Sequence, residues 1–336
     1  MKKVYLHRIL SICGMLASFV IIAMLAPGCG NGGDISPSIK DGVVFNDSTL
    51  ERLVREAIGQ PEGAIHPEKL EKLSRLELGG WFIQDITGLE YCTNLTYLDL
   101  NTNEITDISA LAGMTKLKEL NLNNNSIIDI SPLSSMTELD TLDLGRNRIS
   151  DISPLAGCTG ITKLHLWNNQ ITDVSTLAGL TGLTELTLFM NQIEDVTSLS
   201  ALVNMKTLSL SDNYISSLSG LETMVNLTHL DAMKNEITDI LTLANLTNLD
   251  RLELSANKIQ DVGPLTNLKK LSRLGLSTNE ISDLESWSHY ISTEGQSLLI
   301  IIRDNPLSDT SLSTYIPAMQ DNGLRVEWLS LADLVK

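Results

Sequence analysis

The chain has 336 residues, with 24 Lys and Arg against 41 Asp and Glu and only 4% aromatic side chains. A formal charge of −17 opposes any polyanionic ligand, so nucleic acid is excluded as an expected partner. The length suggests two compact domains unless a repeated unit builds one elongated core instead.

At the amino terminus, Lys2, Lys3 and Arg8 precede an apolar run from Ile9 to Ala26 that ends in Ala26, Pro27, Gly28 and Cys29. This is the layout of a secretory signal, and the expected leader is 1–28. A cysteine directly after a small residue reads as a lipoprotein cleavage site, with Cys29 as the lipid-bearing first residue of the mature protein. Ala26 stands where such sites usually carry Leu, which leaves ordinary cleavage and an uncleaved anchor as alternatives. Gly30 to Ser38 is rich in Gly, Asn, Ser and Pro, so residues 29–40 read as the lipidated cysteine and a flexible tether. The expected product is exported, anchored by lipid in a membrane, and lies at the cell surface or periplasmic face. Without Lys2, Lys3 and Arg8, 21 basic groups face 41 acidic ones, a balance of about −20.

Residues 41–72 read as a helical cap. Ser48 and Glu51 have the spacing of a capping box, and Leu50, Leu53, Val54, Ala57 and Ile58 follow helical periodicity up to Gly59 and Pro61.

From 73 to 307 the sequence repeats, in about eleven coils. Asparagine recurs every 22 residues, at Asn103, Asn125, Asn147, Asn169, Asn191, Asn213, Asn235, Asn257 and Asn279, and Trp81 holds the same phase one period earlier. Around each Asn the chain reads LxLxxNxIxDIxxL, as with Leu120, Leu122, Asn125, Ile127, Ile130 and Leu133. Two leucines two residues apart point to one face of a short strand, which leaves the residues between and beside them on the solvent face. The Asn sits at the turn after the strand, where its amide can satisfy backbone groups freed by the bend. Such units stack into a solenoid whose end coils need covers. Beyond Asn279 a 26-residue step leads to a variant coil, LLIIIRDNPL, ending at Asn305 and Leu307, with the extra residues assigned to Trp287 through Gly295. Residues 308–336 read as the second cover: a helical stretch from about Thr310 to Gln320, a stop at Asn322 and Gly323, then strand-like alternation of Leu324, Val326 and Trp328.

From about Val44 to Trp328 this pattern resembles the internalin-type family of bacterial leucine-rich-repeat surface proteins. The resemblance implies an α/β solenoid, a leucine-rich-repeat horseshoe with a parallel β-sheet on its concave face and short 3₁₀ segments on the convex side. It also implies an extracytoplasmic protein that grips partners on the concave face. Family members usually carry an immunoglobulin-like module and a sorting signal after the repeats. Neither is seen here, so host-cell invasion does not carry over.

Several residue types invite a chemical role. Asp85, Asp107, Asp129, Asp151, Asp173, Asp195, Asp239, Asp261 and Asp283 stand four after each repeat Asn or its equivalent, with Ser217 the one departure. A carboxylate column could collect Ca²⁺, but an Ile, Val or Leu and then mostly Ser or Thr follow each Asp, which favours capping of the next short helical turn. Cys13 lies in the leader, while Cys92 and Cys158 are 66 residues and therefore three coils apart. That is roughly 15 Å, too far for a bridge, so both read as small core residues. No nucleophile accompanies His66, His165, His229 or His289 and no phosphate loop or zinc spacing occurs, so an enzyme, a cofactor or a metal is not expected.

Residues six, four and two before each Asn should line the concave face. Two before Asn the series runs Asn101, Asn123, Gly145, Trp167, Phe189, Ser211, Met233, Ser255 and Ser277, which places two large aromatics on adjacent coils. Their side chains should lie about 5 Å apart along the sheet and present one surface. His165 and Met190 flank them, and Tyr97 lies toward the N-terminal end. Asp99, Glu119, Asp143, Glu185, Asp231 and Glu253 supply acid around the patch, with Lys163, His229, Arg251 and Arg273 as the basic counterweight. An apolar centre with a polar rim is interface anatomy. Tyr97, Asp143, His165, Trp167, Phe189, Met190, Asp231 and Met233 are the candidate partner-binding residues, for an extracellular or envelope protein or peptide. A glycan adhesin would instead use Trp167 as a stacking platform with Asp143, His165 and Asn168 as hydroxyl partners. A passive envelope component gives the exposed aromatics no purpose; mutual packing of the two rings, or cover by a neighbouring chain, is the bland alternative.

Overall fold

The computed structural model describes residues 42–291 and 297–329. The leader, Cys29 and the whole of the expected tether lie outside the described residues. Twelve three-residue strands form one parallel sheet in strict chain order. They are β1 (Arg75–Glu77), β2 (Tyr97–Asp99), β3 (Glu119–Asn121), β4 (Thr141–Asp143), β5 (Lys163–His165), β6 (Glu185–Thr187), β7 (Thr207–Ser209), β8 (His229–Asp231), β9 (Arg251–Glu253), β10 (Arg273–Gly275), β11 (Leu299–Ile301) and β12 (Arg325–Glu327). Register equals repeat length: Leu98 pairs with Leu120, Leu142 with Leu164, and Leu230 with Leu252. Because only a one-for-one stacking of coils buries every leucine, the period dictates the pairing. Most return legs carry a 3₁₀ turn, such as Ser153–Gly157, Ser175–Gly179 and Thr197–Ala201.

The core is one continuous stack. In the coil of Asn169, Leu164, Leu166, Ile171, Val174, Leu177, Leu180 and Leu183 are all buried. Cys92 and Cys158 sit in the same stack as Leu180, and both are free thiols. Burial pushes the Cys92 thiol up to about 12 and raises that of Cys158.

The asparagines do what the turn position suggests. Asn169 Nδ2 donates to its own Leu166 O at 3.0 Å and to Leu144 O of the preceding coil at 3.0 Å, while its Oδ1 accepts from Ile149 N at 3.0 Å. The same set recurs from Asn103, with Leu100 O, Leu78 O and Ile83 N, to Asn305, with Ile302 O, Leu276 O and Ile281 N. The residue ahead of each Asn is left-handed, with φ between 51° and 58° from Thr102 through Asp304. Non-glycine residues accept that conformation, at roughly 1–2 kcal/mol each, because the next coil holds their N–H groups: Asn168 N donates to Phe189 O and Met190 N to Ser211 O.

The Asp column caps. Asp107, Asp129, Asp151, Asp173 and Asp195 each accept from the backbone N–H two residues on at 2.8 Å. These bonds draw the Asp151, Asp173 and Asp195 carboxyls below their usual range. Ser217 makes the equivalent bond to Ser219 N at 3.2 Å. There the chain turns instead at Gly220, φ 103°, where an added Cβ would lie 2.7 Å from Thr197 Cα.

Both covers are present, with two corrections of detail. Helix α1 (Ser48–Ile58) ends at left-handed Gly59, as its sequence suggests, but its N-cap is Asp47, whose Oδ1 accepts from Thr49 N and Leu50 N. Ser48 is therefore the first helical residue, and Glu51 reaches Arg55 at 2.8 Å instead of closing a capping box. A carboxylate one residue upstream of the serine takes the cap. Because Asp47 Oδ2 also accepts from Gln84 N at 3.0 Å, Asp47→Ala should cost about 1–2 kcal/mol in chemical denaturation, and Ser48→Ala much less. Equal effects would restore the capping box. A short helix α2 (Pro67–Leu70) follows.

At the other end Trp287 does not belong to an insertion. Trp287 and Tyr290 stand 22 residues after Leu265 and Leu268, in the same core phases, and both are buried. Their rings stack at 4.7 Å, with the Trp287 indole donating to Val262 O at 2.9 Å and the Tyr290 hydroxyl to Leu268 O at 3.0 Å. Regular packing thus continues through Tyr290, and residues 292–296 of the proposed insertion lie outside the described residues. A π-helical turn (Ser311–Tyr315), helix α3 (Ile316–Asp321) and β12 then cover the last coil.

Candidate functional site

The solvent face of β4 to β8 carries most of the candidates. Along each strand the middle leucine is buried, so the residues on either side of it face outward, with the residue two beyond the end of the strand at their edge. Trp167 and Phe189 follow β5 and β6 at this edge. Their rings are parallel within 7° with centroids 5.3 Å apart, close to the strand spacing. Both are half-buried: the rings pack on each other, as the alternative to a binding surface expected, and each covers one face of the other instead of standing free in solvent.

Gly145 provides the seat for this stack. A Cβ at Gly145 would lie 2.2 Å from the Trp167 indole Nε1, so the ring leans over the preceding coil where any other residue would obstruct it. Beyond Phe189 the edge is lowered again by Ser211, which is buried, before Met233 rises one coil later. Met190, 45% exposed, occupies the left-handed turn after Phe189. His165 is held sideways, its Nδ1 3.1 Å from Thr187 Oγ1.

The acidic residues are less available than their sequence positions imply. Asp143 Oδ1 accepts from Gly145 N at 2.9 Å and Asp231 Oδ1 from Met233 N at 3.1 Å, so each carboxylate also fastens the end of its own strand. Burial raises the Asp231 carboxyl above its usual range, against hydrogen bonds from Met233 and Ser211, and the Glu253 charge on the paired strand adds to the rise. Glu253 itself pairs with Arg273 at 2.6 Å, and Arg251 lies 3.7 Å from Asp250. Tyr97 stands apart, on β2 and three strands from β5. The Arg75 guanidinium covers its ring at 3.4 Å. The structure therefore groups His165, Trp167, Phe189 and Met190, places Asp143 and Met233 beside them, and leaves Tyr97 outside the cluster. Among the described residues no group of three or more His, Cys, Asp or Glu is placed to hold a metal ion.

Leucine-rich-repeat family models match this chain over residues 71–127 and, as paired copies, over 115–157, 159–201, 203–245 and 247–289. A crystal structure of an internalin from Listeria monocytogenes is 34% identical, covering 89% of this chain and 88% of that one with a TM-score of 0.79. The chain belongs to the internalin-type leucine-rich-repeat family. An internalin C2 of the same organism is likewise 34% identical, over 68% of this chain and 92% of that one, with a TM-score of 0.55. A leucine-rich-repeat protein of Leptospira interrogans, 21% identical over 78% of this chain and 73% of that one with a TM-score of 0.61, shares the fold. No curated protein matches by sequence. The internalin-type fold is typical of protein–protein interaction modules.

Two features escaped the sequence. The small residue at Gly145 reads as filler, and only the two-residue offset to an indole on the next coil could have marked it as a seat. The inward bonds of Asp143 and Asp231 were legible in principle, because Asp is a residue that bonds the backbone two positions on.

Proposed function

We propose that this internalin-type protein is a non-catalytic recognition module that binds a protein or peptide on the solvent face of β4–β8, with the Trp167–Phe189 stack at its centre. The observation that carries the reading is the stack itself, two parallel rings seated on a glycine at the only point where this edge column holds aromatics. Rings fixed against each other offer area at little further entropic cost, the property of interface hot spots. A glycan platform has less support, since Phe189 covers one face of the Trp167 ring. The test is capture of a partner from native envelope extract, followed by titration with Trp167→Ser and Phe189→Ser.

The reading includes export and lipid anchoring through Cys29. Among the described residues no helix is long and apolar enough to cross a membrane. Cys29→Ala should release the protein from membranes or leave an unprocessed precursor, and mass spectrometry of the wild type should find acyl groups on Cys29. A wild-type protein that begins at a later residue without lipid would end this part of the proposal.

A further inference from the structure

The edge column between Phe189 and Met233 forms a slot. Phe189 presents one ring face to Trp167, so its other face looks along the sheet toward Met233, two coils on. Two strand spacings place the backbones of these residues roughly 10 Å apart, and the residue between them, Ser211, is short and buried. A flat group touching both walls needs roughly 7–8 Å, at about 3.5–4.0 Å to each side. The flexible methionine thioether can take up the difference.

Asp231 stands at the foot of the Met233 wall, on the strand that leads into it. It is half-buried, and among the described residues it takes part in no ion pair. The cations around it are committed elsewhere: Arg251 to Asp250 at 3.7 Å, Arg273 to Glu253 at 2.6 Å and Lys234 to Asp212 at 3.3 Å. Glu185, on the strand leading into Phe189, adds a second carboxylate on the same face. A slot with an aromatic wall, a thioether wall and at its base a carboxylate that holds hydrogen bonds from Met233 and Ser211 but no ion pair is complementary to a flat cation.

Resting on the recognition reading above, we infer that this slot takes an arginine side chain of the partner, stacked between Phe189 and Met233 with its guanidinium directed to Asp231. The guanidinium is planar, stacks on aromatic faces and binds carboxylates in a fixed fork. Lysine, a compact point charge, gains the Coulombic attraction without the stacking.

The test uses a library of random dodecapeptides displayed on phage and selected on the full chain. Selected sequences should be enriched in arginine. In synthetic copies, replacing that arginine by lysine or by neutral citrulline should each weaken binding about tenfold or more. Asp231→Asn, which keeps the acceptor for Met233 N, should abolish the preference for arginine over citrulline while leaving the thermal melt unchanged. If the peptides depend on Trp167 and Phe189 but bind equally well with lysine or citrulline, or equally well to Asp231→Asn, the arginine inference is overturned and the aromatic site stands. If binding is indifferent to Trp167→Ser, Phe189→Ser and Asp231→Asn alike, both fall.

Discussion

Asn191→Ala should cost about 3–5 kcal/mol of stability. Asn191 is 7% exposed and its amide closes three backbone groups on two coils: Leu166 O at 3.0 Å, Leu188 O at 2.9 Å and Ile171 N at 3.1 Å. Truncation orphans Ile171 N in a space too dry for water to replace the amide, at roughly 1–3 kcal/mol, and removes one of the two amide donors at Leu166 O and at Leu188 O, which keep Asn169 and Asn213, at about 0.5–1.5 kcal/mol each. The bonds to Leu166 and Ile171 also couple one coil to the next, so the loss falls on the nearest-neighbour interface that holds a solenoid together. Asn191→Asp should be no better, because a second acceptor would then face the two carbonyls. Asn101→Ala is the control, for its amide bonds only Asp99 on the half-buried face. Chemical denaturation reads the result, and an Asn191→Ala protein within about 1 kcal/mol of wild type would show that leucine packing alone sets the register.

The second large effect concerns binding with stability preserved. Trp167→Ser or Phe189→Ser places in the column the residue it already uses at Ser211, Ser255 and Ser277, and leaves the core leucines untouched. Partner affinity should fall by about 2 kcal/mol or more, near thirtyfold in Kd. Since the rings act as one surface, the double variant should lose less than the sum of the singles. Gly145→Ala is the sharper probe. It touches no partner, yet its Cβ would force the indole off its seat, so affinity should drop with both aromatics still present. Thr172→Ala, on an exposed position away from this face, should change little. Ser variants that bind as wild type does, or that lose much of their stability, would make the stack structural.

The repeat was legible because a fixed period puts the same residue in the same place in every coil. Asn103 through Asn279 announced the turn, and Leu120 with Leu122 announced which face is core. The spacing of Trp167 and Phe189 was legible for the same reason: adjacent coils are a strand spacing apart, and the rings lie at 5.3 Å. What stayed hidden depended on neighbours that periodicity does not describe. The left-handed turns at Met190 or Lys234 carry no glycine signal, because the adjoining coil's carbonyl holds them in place. The cap at Asp47 lost to a more familiar pattern one residue later. The seat of the Trp167 indole follows from a glycine on another coil, and the cover over Tyr97 from an arginine on another strand.

The most direct measurement is hydroxyl-radical footprinting of the protein with and without a captured partner, read residue by residue by mass spectrometry. The partner should suppress oxidation at Trp167, Phe189, Met190 and Met233, while Trp81 and Tyr214, 46% and 56% exposed, should oxidise as before. Protection of Trp81 or Tyr214 with Trp167 and Phe189 unchanged would place the partner elsewhere and contradict the assignment of this face.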